Sequence, residues 1–425
     1  MDTVKKIGKA FLCHLLEAQV KRLQQKNHFK VIAVAGSVGK TSTKLAIART
    51  LSSRERVIFQ GGNYNDRLTV PLVLFGQVEP SIFNVFAWLN ILAANERLLR
   101  RNYPYDTAVL ELGTDEPGQL ERFAYLQPDL VVITAVAAEH MEFFKSLEAV
   151  AKEELTPLGF SQQALLNIDD IDAQYFSDTA FVSYGYQTQA DYRLVEHRQH
   201  GLEGQELEIS LDGGQKLTIQ THLLGAQGHK IILAAAATAH ILGWEPSAIS
   251  EGLHHITPTP GRMQILPGIK ESHLIDDTYN ASPIAVRAAL DVLYSIEAPQ
   301  RIAILGSMNE LGTASAEAHE QIGAYCDPKK LDLLVTIGSE AEKHLAPAAR
   351  AVGCEVVSRK SPYEAGEYVK QHLQAGAVVL AKGSQNGVFA EEALKLLLRK
   401  PDDATRLVRQ SAYWLTVKRR QFPNA

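Results

Sequence analysis

Cysteine is scarce in this chain, excess charge is small and long apolar runs are missing. The three cysteines, Cys13, Cys326 and Cys354, are far apart and odd in number. That excludes a disulfide framework or a four-cysteine zinc site and fits a reducing cytosol. A formal net charge of −5 with pI near 6.3 leaves no basic footprint for nucleic acid, and Lys418-Arg-Arg420 reads as a solvated helix end. The most apolar stretch, Pro80 to Asn95, contains Asn84, Trp88 and Asn90 between Glu79 and Glu96, so it is too short and too polar for a membrane span. It reads as a packed helix, with a membrane-surface contact as the alternative. No apolar segment with a small-residue cleavage site follows Met1, and a cytoplasmic protein without a secretory signal is expected. What remains is ordinary globular material, 46% hydrophobic and 21% charged over 425 residues, enough for two or three domains.

The segment Val31-Ile-Ala-Val-Ala-Gly-Ser-Val-Gly-Lys-Thr-Ser-Thr43 carries the strongest chemical signal. Its β-branched run reads as a buried parallel strand and Thr43 to Leu51 as the following helix, which places the turn at a helix N-terminus. Free N–H groups and the helix dipole favour an anion there. Gly36, Ser37, Val38, Gly39, Lys40, Thr41 and Ser42 form the expected phosphate cradle. Lys40 can neutralise terminal phosphates and the Thr41 hydroxyl can ligate Mg²⁺. Val34 stands where the usual pattern has a first glycine, so the loop is a shortened variant. Mg²⁺ takes oxygen ligands. Glu111, at the end of the apolar run Thr107 to Gly113, is a candidate ligand or a solvent-facing edge residue. His140 follows the next strand, and a lone loop histidine is more often a surface residue than a ligand.

Short apolar runs at Ala108–Leu112, Leu130–Thr134 and Ala164–Ile168, with helical patterns between, give a βαβ rhythm and a parallel sheet. Residues 4 to 26 are an amphipathic lead-in helix. Leu207–Leu211 and Lys216–Gln220, around Asp212-Gly-Gly214, read as a hairpin, and Ile231–Leu242 as an alanine-rich helix. The prolines and glycine of His255–Gly261 mark a boundary. Beyond it, Arg301–Leu305, Leu331–Ile337 and Ala377–Ala381 alternate with helices as a second, smaller doubly wound unit. The expected fold is α/β: a phosphate-loop domain over 31–256 with a mainly parallel sheet, a Rossmann-like domain over 257–425, and the lead-in helix within 1–30.

Gly36–Ser42, Gly62-Asn-Tyr-Asn-Asp66 with Pro71, Glu111-Leu-Gly113, Glu139-His140, Pro260-Gly-Arg262, Asp276-Asp-Thr-Tyr-Asn-Ala-Ser-Pro283, Glu310-Leu-Gly312 with His319, and Lys382-Gly-Ser384 occur in one order. With this set the chain resembles the Mur ligases, most closely the MurF type, which adds D-alanyl-D-alanine to a nucleotide-linked muramoyl peptide. The resemblance implies an ATP-dependent ligase. The γ-phosphoryl group passes to a substrate carboxylate, and an amine then displaces phosphate. It implies that Lys40 holds the β and γ phosphates, that Thr41 and Glu111 bind one Mg²⁺ and that His140 helps bind a second. It also implies that Asp277 and Asn280 approach ribose and base, that Arg262 and Lys382 are cleft residues, and that the domains close on nucleotide. Asn63, Asn65, Lys382 and Ser384 are candidate substrate contacts. The partners implied are small molecules, a carboxylate acceptor such as a UDP-linked muramoyl peptide and an amino acid or dipeptide amine, acting on a monomer.

Three departures from the family pattern stand out. The family's carbamylated lysine is matched by Glu154, which would supply a carboxylate permanently or be an ordinary solvated glutamate. Lys152 should point elsewhere, about 200° around the helix. Gly225-Ala-Gln-Gly-His-Lys230 replaces the Gly-x-His-Asn segment, so the adenine contact is not assignable. Only about thirty residues precede the loop, so the family's N-terminal sugar-nucleotide domain is expected to be lacking. Alternatives are a ligase of the same family with a folate, poly-γ-glutamate or cyanophycin acceptor, or a nucleotide-binding module without catalysis.

Overall fold

A computed structural model describes residues 2–62, 65–138, 141–176 and 180–423, with backbone alone for residues 2–7. The chain divides into two compact units. The first comprises Met1–Arg198, Glu206–Thr221 and His229–Ile256, the second Gln199–Gln205, His222–Gly228 and Thr257–Ala425.

Among the described residues the first unit has nine strands: β1 Lys30–Ala35, β2 Val57–Phe59, β3 Thr107–Glu111, β4 Leu130–Ile133, β5 Gln163–Asn167, β6 Val182–Gly185, β7 Tyr192–Gln199, β8 Gln205–Ser210 and β9 Lys216–Thr221. Their order is β2-β3-β1-β4-β5-β6-β7-β8-β9, with parallel pairing from β2 through β7. Strands covered on both faces read as continuous apolar runs, and β1, β3 and β4 are buried along nearly their whole length. By contrast β8 and β9 alternate between buried and less buried residues. Chain order reverses at β1, which lies between β3 and β4, and the carboxyl ends of strands at such a switch point are where open α/β sheets bind ligands.

The helix Lys40–Leu51 begins three residues before the sequence reading placed it, because Lys40, Thr41 and Ser42 already form its first turn. Its Leu45, Ala46, Ile47, Ala48 and Leu51 are buried. The alanine-rich helix is likewise longer than expected, Gly225–Ile241, and takes in the glycine-containing segment. Pro80–Asn95 resolves into the helix Val85–Leu99, which buries Trp88, Ile91, Asn95 and Leu99 while Phe83, Val85, Phe86 and Leu89 stay exposed. The lead-in helix Asp2–Lys26 packs Cys13 and Leu16 against Leu68, Leu72, Trp88 and Ile91. Among the described residues no helix is long and apolar enough to cross a membrane.

The second unit has six strands among the described residues: β10 Gln264–Pro267, β11 His273–Asp277, β12 Arg301–Gly306, β13 Leu333–Ile337, β14 Val356–Arg359 and β15 Val378–Lys382. They run β10-β11-β15-β12-β13-β14, parallel except for the antiparallel β10–β11 pair. One expectation fails at the C-terminus. Lys418 is not solvated but 1% exposed, held between Glu391 Oε1 at 2.8 Å and Glu392 Oε1 at 2.7 Å. Two adjacent buried carboxylates need cations, and Lys418 with Arg409 provides them.

Candidate active site

The loop after β1 is stitched to the end of β4. Ser37 N donates to Ala135 O at 2.8 Å and Ala137 N to Ser37 Oγ at 3.1 Å. Gly36 has φ +116°, and a Cβ there would lie 2.4 Å from Thr134 Oγ1 and 2.8 Å from Ala135 N, so only glycine fits. Gly39, at φ 90°, turns the chain into the helix Lys40–Leu51, which has neither a side-chain cap nor an acidic residue in its first turn. Its leading amides are therefore suited to an external anion. Val38, Ser42 and Thr41 are half-buried around this turn. Lys40 Nζ folds back over the loop, donating to Gly36 O at 2.5 Å and Ser37 O at 3.3 Å.

Glu111, at the carboxyl end of β3, is 1% exposed and enclosed by donors. Thr41 Oγ1 donates to its Oε1 at 3.1 Å, Asn65 Nδ2 to the same oxygen at 3.2 Å, and Lys44 Nζ to Oε2 at 3.2 Å. Gln60 fixes its backbone on both sides, accepting from Glu111 N at 2.8 Å and donating to Glu111 O at 3.2 Å. Lys44 is fully buried and also donates to Gly62 O at 2.9 Å. Burial pushes its pKa down, against the opposing pull of Glu111.

Glu154, the residue matched to the family's carbamylated lysine, comes to the same place. Ser146 caps the helix Leu147–Glu154, whose end carries Glu154 to the loop. Glu154 is 3% exposed, its Oε2 accepts from Gly36 N at 2.8 Å, and its Oε1 lies 3.9 Å from Lys40 Nζ. Lys152 is exposed, and Glu153 is structural, accepting from Gly118 N and Leu120 N at 2.7 Å each. Asn63, Glu139 and His140 lie outside the described residues.

The donor set fits the groups expected here. Thr41 and Glu111 present hard oxygens side by side, the pair a Mg²⁺ with several retained waters would take. Among the described residues no three His, Cys, Asp or Glu side chains form a ready cation cage.

In the second unit the expected residues form a separate cluster. Lys382 Nζ, 2% exposed, donates to Asp277 Oδ2 at 2.6 Å and to Asn280 O at 3.0 Å. Burial lowers its pKa, and Asp277 opposes that shift. Asp277 Oδ1 accepts from Met263 N at 3.2 Å, and the Arg262 guanidinium lies 4.2 Å from the Tyr279 ring centroid. Ser384 Oγ accepts from Asn309 N at 2.8 Å and lies 3.5 Å from Ala281 O. These two side chains, expected to touch substrate, are buried and brace the Asp277–Ala281 turn.

Comparison with known proteins follows the same division. Residues 34–239 match the Mur ligase middle domain, and residues 261–385 the Mur ligase glutamate ligase domain. A Haemophilus influenzae protein named UDP-N-acetylmuramoyl-tripeptide--D-alanyl-D-alanine ligase is 30% identical over 390 residues, 86% of this chain and 76% of the relative. The chain belongs to the Mur ligase family. The Bacillus subtilis protein of the same name is 28% identical over 397 residues, 91% of this chain and 79% of its own length. Two solved structures share the fold. MurF from Acinetobacter baumannii has a TM-score of 0.76 at 23% identity, covering 92% of this chain and 81% of that one. MurF from Thermotoga maritima in complex with ADP has 0.72 at 21%, covering 91% and 83%.

Several residues of this Mur ligase site were missed in the sequence. Lys44 had a signal: it lies three residues after Thr41, on the same helix face, inside an otherwise apolar run. Gln60 and Thr134 had none, since each acts through backbone partners that only the sheet brings near.

Proposed function

We propose that this Mur ligase is an ADP-forming enzyme of peptidoglycan precursor synthesis. It joins D-alanyl-D-alanine through its amine to a carboxylate of a UDP-linked muramoyl tripeptide. The carrying observation is the meeting of Lys40, Thr41, Glu111 and Glu154 at the carboxyl ends of β1 and β3. The names of the relatives support the choice of substrates.

A carboxylate is a poor electrophile, and phosphorylation supplies its leaving group. A substrate carboxylate oxygen attacks the γ-phosphorus of ATP and ADP departs. The amine then attacks the acyl carbon, phosphate leaves and the amine proton passes to solvent. Loop amides and Lys40 bind and orient the phosphates, and positioning with charge neutralisation carries the rate. Mg²⁺, when bound, neutralises phosphate charge. Thr41 and Glu111 would hold it, with Lys44 fixing the other Glu111 oxygen and Asn65 orienting the carboxylate. Glu154 would give a permanent carboxylate for a second ion, and His140 and Asn63 keep the metal and substrate roles that the family resemblance implies. In the second unit, Asp277, Asn280 and Arg262 are assigned to nucleotide, with Lys382 and Ser384 supporting them. We assign the central ATP-binding domain with the phosphate loop to residues 31–256, a C-terminal Mur-ligase-like domain to 257–425 and a lead-in helix to 1–30, in a cytoplasmic monomer.

The decisive assay is ADP release with ATP, Mg²⁺, UDP-muramoyl tripeptide and D-alanyl-D-alanine. Turnover requiring all four is expected. Turnover only with a folyl, polyglutamyl or cyanophycin acceptor would transfer the reaction to another substrate. ATP binding without turnover on any acid and amine pair would remove it.

A further inference from the structure

Beside the strand end that carries Glu111, the first unit has a cavity of ≈ 350 Å³. Its apolar floor includes Cys13 and Phe123, 2% and 1% exposed, and its rim is charged. One wall comes from the helix Asp2–Lys26, which precedes the segment matched by the family's middle domain. At another wall stands Gly113, whose N–H donates to Asn65 O at 3.0 Å. Gly113 lies two positions after Glu111, with Leu112 between them, about 7 Å of extended chain. The cavity is thus within one or two peptide residues of the proposed reacting centre, and its volume suits an amino-acid-sized group.

The rim cations are not equivalent. Lys9 Nζ is 3.0 Å from Asp66 Oδ2, so each neutralises the other. Asp66 is fixed further by Leu68 N at 2.9 Å and Thr69 N at 2.8 Å. Arg67 grips Glu17 with two bonds, 2.5 Å to Oε1 and 3.0 Å to Oε2. The exposed Arg122 guanidinium has no hydrogen-bond or ion-pair partner among the described residues. A planar guanidinium with its donors uncommitted, at the mouth of an apolar-floored cavity, matches a ligand carboxylate in bidentate geometry.

We infer that this cavity is a subsite for a second, non-reacting carboxylate of the acyl substrate, with Arg122 as its anchor and the lead-in helix as its outer wall. The inference rests on the ligase reading above. It makes acceptor choice depend on a residue outside the phosphate and metal site, and on a helix outside the matched domain.

The test uses UDP-muramoyl tripeptide and an analogue amidated at its non-reacting carboxylates, with wild type, Arg122→Gln and Arg122→Lys. Because Arg122 is exposed and unpaired, neither substitution should disturb folding. Arg122→Gln should raise KM for the acidic peptide about tenfold or more, the loss expected for a hydrogen-bonded charge, while KM for ATP and kcat stay near wild type. Arg122→Lys should restore part of the loss. Wild type should lose a similar factor on amidation, and Arg122→Gln should not distinguish the two peptides. Calorimetric titration of both peptides into both proteins reads the subsite without turnover. Equal affinity in all four pairings, or no binding, overturns the inference. Selective binding of the acidic peptide by wild type without ADP release would overturn the ligase reading and leave the subsite standing.

Discussion

At the residue scale, Lys44 and Glu154 show how a buried charge can be held for use by others. Lys44 has no exposed side chain and one carboxylate partner, so Lys44→Met leaves Glu111 buried without its cation. Breaking such a pair from one side costs about 3–5 kcal/mol, and urea titration should find a loss of that order. A smaller loss would mean that water reaches Glu111. Glu154→Gln keeps the shape and an oxygen for Gly36 N–H but removes the charge beside Lys40. ADP release should fall about a hundredfold or more, the range seen when one electrostatic group is removed from a catalytic site. Activity equal to wild type would reduce Glu154 to a loop brace.

The elements differ in how legible they were. Strand β1 and the turn after it were readable because burial on both faces, a glycine forced by close approach and a helix start all leave local marks. The pair β10–β11 was not. Gln264-Ile-Leu-Pro267 is four residues long and ends in a proline at a sheet edge, below the length where periodicity speaks. Strand β14, four half-buried residues at the opposite edge, failed for the same reason. In Val85–Leu99 the apolar residues occupy both the packed and the exposed faces, so sequence could identify the helix but not its inner side. The metal-site residues were legible as oxygen ligands, whereas Gln60 and Thr134 depended on register. Lys418 is the clearest miss, since its partners Glu391 and Glu392 are distant in sequence and lie on the short helix Glu391–Lys395. Lys418→Met should accordingly speed amide exchange across Glu391–Lys395 and destabilise the second unit by about 3 kcal/mol or more. Unchanged protection there would return Lys418 to the solvated role that its basic neighbours suggested.

For the molecule as a whole, each unit closes apolar clusters of its own, so the second unit's stability can carry its own pH signature. Asp276 supplies one. Its carboxyl is fully buried, and burial pushes its pKa up to about 6 from 3.8, although Thr278 N–H and O–H and Gly261 N–H donate to it. A raised folded-state pKa means that the native protein holds this proton more tightly than the unfolded chain. The resulting stabilisation is full below pH 3.8 and is lost as pH rises through about 6. A shift of this size corresponds to about 3 kcal/mol across the window. Asp276→Asn cannot titrate, so the stability difference, wild type minus variant, should be larger at pH 4.5 than at pH 7.5. Comparing the two proteins at each pH cancels the titration of the shared surface ion pairs. Urea midpoints at both values measure it, and a difference independent of pH would show that Asp276 ionises in the folded protein as it does in the unfolded chain.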